Sequence, residues 1–172
     1  MEYHKLIKAR YSVRKFSPRP VEDEKIQTIL EAARPAPTAV DKQPYRLLIL
    51  KGTDSVAKLK DCTPYAFDAP MAILVCGCPD EAWVRPYDGQ NAVFIDAAII
   101  GTHLMLAIHD LGLGATWVGH FDPAAIRQAY NLPATLEPVA LFPFGYPADD
   151  AKPAPLHEKR RPLAEMVFYD RF

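Results

Sequence analysis

The chain has 172 residues and nearly balanced charges, with 20 Lys and Arg against 21 Asp and Glu. A duplex-binding surface normally needs an excess of basic residues, so this balance argues against nucleic acid as a partner. The sequence has no run of 18 or more apolar residues and no signal-peptide core behind its first residues, which predicts no membrane span and no secretion signal. Its three cysteines do not make a disulfide framework. We therefore expect one domain over residues 1–172, located in the cytoplasm with reduced thiols.

Apolar periodicity and turn residues divide the chain into helices and strands. The predicted helices cover Glu2 to Ala9, Glu22 to Ala33, Ser55 to Asp61, Asn91 to Leu111 and Pro123 to Tyr130, and the predicted strands cover Arg46 to Lys51, Met71 to Cys76, Gly114 to Gly119 and Glu137 to Phe144. Strands separated by helices indicate an α+β or α/β domain built around one sheet.

Three segments carry expectations about burial. The strand from Arg46 to Lys51 is almost entirely apolar, which predicts burial on both faces. The helix from Asn91 to Leu111 is apolar nearly all round, which predicts a position in the centre of the protein or at a subunit interface. Prolines crowd the stretch from Pro133 to Pro162 and enforce extended chain, so we expect the last third to run over a surface.

Two guanidinium groups and a hydroxyl recur at every second residue after the first helix. In an extended segment, side chains two residues apart share a face, so Arg10, Ser12 and Arg14 would converge on one point. Guanidinium forks bind phosphate oxygens in bidentate fashion, and a hydroxyl adds a neutral donor. The spacing is compatible with a phosphate site, and the alternative is a solvated basic turn.

The stretch from Arg34 to Pro44 can form neither a helix nor a regular strand because of its prolines. It is rich in short polar groups and lies between two firm elements, where binding residues often occur. The chain has no G-x-S-x-G or H-E-x-x-H motif, and Gly112-x-Gly114 lacks the third glycine of a dinucleotide fingerprint. Cys76-x-Cys78 has no second cysteine pair for zinc, so we assign no metal site and no catalytic side chain.

Four segments, taken in order, resemble the FMN-dependent nitroreductase family. They are Arg10-x-Ser12-x-Arg14; Pro37-Thr38-x-x-Asp41-x-Gln43-Pro44-Tyr45, close to the family's P-S-x-x-N-x-Q-P-W; Leu111-Gly112-Leu113-Gly114-x-x-Trp117-Val118-Gly119-His120-Phe121; and Gly145-Tyr146-Pro147 followed by Arg160-Arg161-Pro162-Leu163. Each segment is short, but together they span nearly the whole chain in the family's order. Asp41 departs from the family, which usually has Asn at this position.

The resemblance implies an α+β fold with a central, mostly antiparallel sheet surrounded by helices, and an intertwined homodimer with FMN at the interface. The C-terminal extension, about residues 147–172, would reach the partner subunit. The implied cofactor-binding residues form three groups: Arg10, Ser12, Arg14 and Arg160 at the phosphate; Pro37, Thr38, Asp41 and Gln43 along the ribityl chain and flavin ring; and Trp117, Val118, Gly119 and His120 near the reactive edge of the ring.

By the same resemblance, the protein would pass hydride from NAD(P)H to bound FMN and then to nitro compounds, quinones or similar acceptors, one substrate leaving before the other binds. Such chemistry belongs to the cofactor, which agrees with the lack of a catalytic motif. Two alternatives stay open. One is a family relative with other flavin chemistry, such as dehalogenation or flavin breakdown, and the other is a non-enzymatic module that binds phosphate or a nucleotide.

Overall fold

The computed structural model describes residues 2–172 and has an α+β fold with a four-stranded sheet. In chain order the elements are α1 (Tyr3–Ala9), α2 (Asp23–Ala33), β1 (Tyr45–Lys51), α3 (Thr53–Ala57), α4 (Leu59–Cys62), β2 (Met71–Gly77), α5 (Val93–Asp110), β3 (Gly114–Ala115), α6 (Pro123–Tyr130) and β4 (Glu137–Gly145), with 3-10 turns at Ala39–Asp41 and Leu163–Glu165. The strand order is β1-β2-β4-β3, and every neighbouring pair is antiparallel. The predicted α+β class with an antiparallel sheet is confirmed.

The sheet separates two layers of hydrophobic core because side chains alternate between its faces. Ile73 and Val75 of β2 belong to the layer under α2 and α5, where Ile29 and Ile100 are fully buried. Leu74 belongs to the opposite layer and packs with side chains of α4 and α6. Helices therefore cover both faces of the sheet, and β2 is buried along its whole length.

β1 is less buried than its apolar sequence predicts because it lies at the edge of the sheet. Leu47 and Ile49 contact the core layer under α2 and α5, and Leu48 contacts the opposite layer. Both faces are thus covered in part, but Leu50 alone among the seven residues of β1 is buried. The prediction that β1 is buried on both faces is therefore confirmed only in part, because burial depends on strand order, which an apolar run does not reveal.

The third strand is shorter than the predicted segment from Gly114 to Gly119, and its regular ladder with β4 ends after two residues. The next N–H, that of Thr116, donates to the Pro143 carbonyl at 3.3 Å, but proline has no N–H to return the bond. Pairing resumes at Val118, which exchanges hydrogen bonds of 2.8 and 3.0 Å with Leu141. The prediction of one continuous strand is therefore wrong.

The helix predicted to begin at Ser55 also differs from the structure. α3 begins two residues earlier, at Thr53, and follows Gly52, whose φ of 98° favours glycine. α4 is a separate short helix that begins at Leu59. The other four helices begin and end within two residues of their predicted bounds.

α5 is the central helix of the fold and has one buried and one exposed side. On its buried side, Ala97, Ile100, Leu104 and Ile108 pack in the layer that also contains α2 and the sheet. The opposite side, which we call the α5 face, is a shallow depression of about 440 Å³ lined by Phe94, Ile95, Ala98, Ile99 and Thr102. By length and a mean hydropathy of 1.4, α5 would also suit a membrane span. A helix that packs one side in the core of a protein has the same high hydropathy, and α5 packs in this way.

The segment after β4, which we call the tail (residues 147–172), first runs beside the chain at Lys15 and Ser17 and then lies exposed. Ser17 N–H donates to the Tyr146 carbonyl at 2.8 Å, and Ala148 N–H donates to the Lys15 carbonyl at 3.1 Å. Farther along, the exposed apolar side chains are Leu156, Leu163, Met166, Val167, Phe168, Tyr169 and Phe172. The tail thus runs over the surface, as its prolines predict. That it reaches a partner subunit stays a prediction.

Candidate functional site

The segment from Arg10 to Arg14, which we call the arginine stretch, is extended because α1 ends and the chain then runs beside β3. Arg10 leaves the helix with extended backbone angles, φ −60° and ψ 127°. Ser12 forms a parallel bridge with Ala115, and Val13 N–H donates to the Ala115 carbonyl at 3.1 Å. Val13 is buried against Gly114, where a Cβ would lie 2.4 Å from a Val13 methyl group. The extended geometry that the predicted convergence requires is therefore present.

One pocket of about 210 Å³ brings together all four residues predicted to bind phosphate: Arg10, Ser12, Arg14 and Arg160. We call it the arginine pocket; Tyr11, Ala154, Leu156 and His157 complete its lining, which contains no carboxylate. Burial lowers the pKa of the Arg10 guanidinium, and the positive charge of Arg160 lowers this pKa further. Two cations held close together with no carboxylate in the pocket lining favour an anion between them. The pocket therefore fits a phosphate group.

A second pocket of about 180 Å³, which we call the aromatic pocket, adjoins the first because Arg14 lines both. Its other lining residues are Tyr65, Phe67, Thr116, Trp117, Val118, Gly119 and His120. The four residues predicted to contact the flavin ring, Trp117 to His120, thus lie together. An aromatic wall beside a cationic pocket fits a ligand that has a flat ring at one end and a phosphate at the other.

The rings of the aromatic pocket are held by further packing. Trp117 meets Phe142 edge-on, with ring centroids 4.9 Å apart, and covers Gly101, where a Cβ would lie 2.8 Å from the indole. The His120 ring meets Tyr65 edge-on at 5.3 Å between centroids. Any side chain at position 101 would displace the indole, so this glycine is required for the position of Trp117.

Seven residues that line the two pockets were not predicted from the sequence: Tyr11, Ala154, Leu156 and His157 in the arginine pocket, and Tyr65, Phe67 and Thr116 in the aromatic pocket. Phe67 and Asp68 have left-handed backbone angles (φ 56° and 49°), which are unusual without glycine and typical of functional sites. The one local signal was a pair of aromatic residues shortly before a buried strand. Nothing around His157 distinguishes it from a solvated tail residue, because its place depends on how the tail folds back.

The loop from Pro37 to Gln43 is strained and bonded within itself. The Thr38 hydroxyl accepts a hydrogen bond from Gln43 N–H at 3.0 Å, and Gln43 Nε2 donates to Asp41 Oδ1 at 3.0 Å. Val40, Asp41 and Gln43 have φ values of 47°, 54° and 50°. Left-handed residues other than glycine cost free energy and persist where the surroundings hold them.

This loop is anchored at one end of α5, whereas the arginine pocket lies near the other end. Asp96, in the first turns of α5, is 1% exposed, and its Oδ1 accepts Ala39 N–H at 2.9 Å. At the far end, burial and the charge of Arg10 lower the pKa of His109. The helix between Asp96 and His109 is about 20 Å long at 1.5 Å per residue. The four predicted loop residues therefore line neither pocket of their own chain.

The cysteines and histidines form no metal cluster within residues 2–172. Cys62, Cys76 and Cys78 are buried free thiols, and burial raises the pKa of Cys76 to about 11. A thiol that stays protonated at neutral pH is a poor nucleophile. These side chains therefore add no reactive group to either pocket.

Comparison with known proteins identifies the class that this fold and site belong to. The profile of the Nitroreductase family matches residues 7–64 and 62–146. A protein of Methanothermobacter thermautotrophicus that is assigned as an NADH dehydrogenase/NAD(P)H nitroreductase is 33% identical to this chain over 163 residues. The match covers 87% of this chain and 80% of that protein. The crystal structure of a nitroreductase family protein from Clostridium difficile 630 matches with a TM-score of 0.93 and 40% identity over 100% of both chains.

A nitroreductase assigned in Desulfovibrio desulfuricans, crystallised in complex with FMN, matches with a TM-score of 0.78 and 28% identity over 100% of this chain and 98% of that chain. Structural relatives of this protein thus bind FMN. The chain belongs to the nitroreductase family and is an NAD(P)H oxidoreductase of that family. The family membership predicted from the four sequence segments is confirmed.

Proposed function

We propose that this protein is an FMN-dependent oxidoreductase that passes hydride from NAD(P)H through bound FMN to a nitroaromatic, quinone or similar acceptor by a ping-pong mechanism. The observation that carries the proposal is the junction of the arginine pocket with the aromatic pocket at Arg14. The phosphate of FMN suits the lining of the first pocket, and its ring suits the lining of the second. FMN, when bound, supplies the hydride-transfer chemistry.

Each group of pocket residues then has its own task. Arg10, Ser12 and Arg160 bind the phosphate and neutralise its charge. Arg14, at the junction, places a cation within reach of both the phosphate and the ring. Trp117 and its neighbours in the aromatic pocket orient the ring and exclude water from one side of it.

A homodimer completes the proposed site. The loop that holds Thr38, Asp41 and Gln43 lies at the far end of α5 from its own arginine pocket, so a second copy related by a two-fold axis would supply it. The α5 face and the end of the tail, beyond Pro162, are the apolar surfaces available for the interface. Exposed apolar surfaces of this kind are typical of interaction sites. The cytoplasmic location, and the lack of nucleic-acid and membrane partners, stay predictions from composition.

Steady-state oxidation of NADH and NADPH tests the proposed function. With a quinone or a nitroarene as acceptor, the holoenzyme is expected to oxidise NAD(P)H, and double-reciprocal plots at several acceptor concentrations should be parallel, as ping-pong kinetics require. Intersecting lines would contradict the ping-pong order. A holoenzyme that keeps its FMN but oxidises neither nucleotide would favour dehalogenation or flavin breakdown. Ligand binding without FMN or turnover would indicate a binding module.

Asp41→Asn is expected to raise the midpoint potential of bound FMN by about 20 mV, if Asp41 faces the ring of the partner's flavin. Two-electron reduction adds negative charge to the ring, and two like charges about 5 Å apart at an effective dielectric near 20 repel by about 3 kcal/mol. Asp41 is exposed, so solvent reduces the repulsion to about 1 kcal/mol, where about 30 mV corresponds to 1.4 kcal/mol for a two-electron couple. Potentiometric titration at neutral pH measures the shift.

The Asp41 prediction has a matched control in Asp54→Asn, which removes the same charge from an exposed site on α3. Within the chain, Asp41 bonds to the neutral amide of Gln43, and the nearby cation of Arg46 pairs with Glu81 at 2.7 Å instead. Equal potentials for the wild type and Asp41→Asn would place this carboxylate away from the ring.

A further inference from the structure

His157 lies in the arginine pocket, although none of the four segments that resemble the family contains it. Its backbone N–H donates to the Ala154 carbonyl at 2.8 Å, which closes a turn. Its ring meets Tyr11 edge-on, with centroids 6.2 Å apart and an interplanar angle of 70°. The imidazole is half-buried. These contacts hold a titratable ring beside the phosphate-binding residues.

The charged side chains that line the arginine pocket with His157 are all cationic. The groups that line the pocket with it are Arg10 and Tyr11 from the end of α1, Ser12 and Arg14 from the extended stretch, and Arg160 from the tail. The neighbouring pocket adds Lys15 and Lys152, with Asp150 paired to Lys15. A phosphate in this pocket would therefore lie beside the imidazole as well as beside three guanidinium groups.

A bound phosphate monoester favours the protonated form of a neighbouring imidazole. Near neutral pH it carries a charge of about −2 and three acceptor oxygens, so a protonated imidazole gains an attraction that a neutral one lacks. Histidine is the side chain whose ordinary titration range lies between pH 5 and 8. The protein with phosphate bound should therefore hold more protons than the free protein at the same pH.

We propose that His157 is a proton-linked ligand of the FMN phosphate, which takes up a proton at its imidazole when the phosphate monoester binds. This inference rests on the proposed function for the identity of the ligand. Because the complex binds the extra proton, affinity is highest at low pH and falls as the pH rises through the titration of His157 in the complex. The phosphate itself loses its second proton near pH 6, so the affinity reports on His157 alone only above that pH.

Titration of the FMN-depleted full-length protein with FMN tests this inference at pH 6.5, 7.5 and 8.5, above the phosphate ionisation. The affinity of the wild type is expected to fall about five- to tenfold over this range, within the limit of tenfold per pH unit for one proton. His157→Gln should show no such fall and should match the wild type within about twofold at pH 8.5. Riboflavin, which lacks the phosphate, should bind with no pH dependence in either protein.

His109→Gln is the matched control because His109 is also near Arg10 but does not line the pocket. It should keep the pH dependence of the wild type. The inference is overturned if His157→Gln keeps the full pH dependence, if His109→Gln loses it, or if FMN binds the wild type equally at all three pH values. In each of these results FMN binds, so the proposed function survives.

A second measurement does not depend on FMN or on the folding of a variant. The ring resonance of His157 in the wild-type protein, followed by NMR against pH, should titrate at a higher pH when inorganic phosphate is added. The resonance of His4, an exposed residue on α1, should not follow it. If added phosphate does not change the pH at which the His157 resonance titrates, the inference is overturned, whether or not FMN binds. Failure of FMN to bind at any pH would instead contradict the proposed function.

Discussion

Arg10→Ala is expected to weaken FMN binding by about ten- to a hundredfold and to leave riboflavin binding nearly unchanged. A hydrogen bond to a charged group contributes about 1.5–3 kcal/mol, and about 1.4 kcal/mol is tenfold in affinity. Arg10 is partly buried and lies near Arg160 in the arginine pocket, so a phosphate there meets a cation that solvent screens weakly. Fluorescence titration with FMN and with riboflavin measures both affinities.

Arg34→Ala is the control for Arg10→Ala, since Arg34 pairs with Glu31 on the exposed end of α2 and lines neither pocket. It should bind both flavins like the wild type. Equal losses of FMN and riboflavin in Arg10→Ala would mean that this arginine supports the fold instead of the phosphate. If Arg10→Ala binds FMN as tightly as the wild type does, Arg10 does not belong to the FMN site.

Arg14→Ala should behave differently from Arg10→Ala because Arg14 lines the aromatic pocket as well. Its loss is expected to weaken riboflavin too, by about three- to tenfold, which corresponds to a hydrogen bond of about 0.5–1.5 kcal/mol. A pattern identical to that of Arg10→Ala would assign Arg14 to the phosphate alone.

Ile95→Glu is expected to convert the proposed dimer into monomers and to abolish retention of FMN during purification. Ile95 is 53% exposed in the single chain and belongs to the α5 face. An unpaired carboxylate buried in an apolar interface costs several kcal/mol for each subunit, and a two-fold axis doubles the penalty. Sedimentation velocity with detection at the flavin band measures both assembly and cofactor content.

Gln128→Glu adds the same charge to an exposed position on α6 and should leave the assembly unchanged. A second variant that ends after Pro162 removes the exposed apolar end of the tail, including Leu163 and Phe168, and should also cost dimerisation or solubility. An obligate interface buries more than about 2,000 Å², so both surfaces are needed to form it. A well-folded monomer that binds FMN at full affinity would refute the shared site.

Local signals were enough for most of the helices. Asp122 directly precedes the predicted helix from Pro123 to Tyr130, and its carboxylate accepts the N–H groups of Ala124 and Ala125 at 2.8 and 3.2 Å as an N-cap. Helix bounds of this kind are encoded within a few residues. Apart from the helix that divides into α3 and α4, the errors were in the sheet, where β3 stops opposite Pro143 and β1 stands at the edge. Both features depend on which strands become neighbours, and no local pattern encodes that choice.

In the candidate site, too, local patterns predicted some residues, whereas others depend on tertiary packing. The alternation of Arg10, Ser12 and Arg14 predicted their shared pocket because an extended chain places them on one face. The aromatic residues Tyr65 and Phe67 were missed because only tertiary packing brings them to Arg14. The loop around Asp41 could be recognised by resemblance, but its distance from the arginine pocket could not, since that distance follows from the packing of α5.

Flavin content is the most direct measurement of FMN binding by this protein. The purified full-length protein should be yellow, and acid denaturation should release a flavin that chromatographs as FMN, in an amount equal to the number of chains. If the cofactor is lost on purification, added FMN should restore the colour and riboflavin should restore it less well, because we propose that the arginine pocket binds the phosphate that riboflavin lacks. A colourless protein that FMN cannot reconstitute would contradict the proposed site and the function built on it.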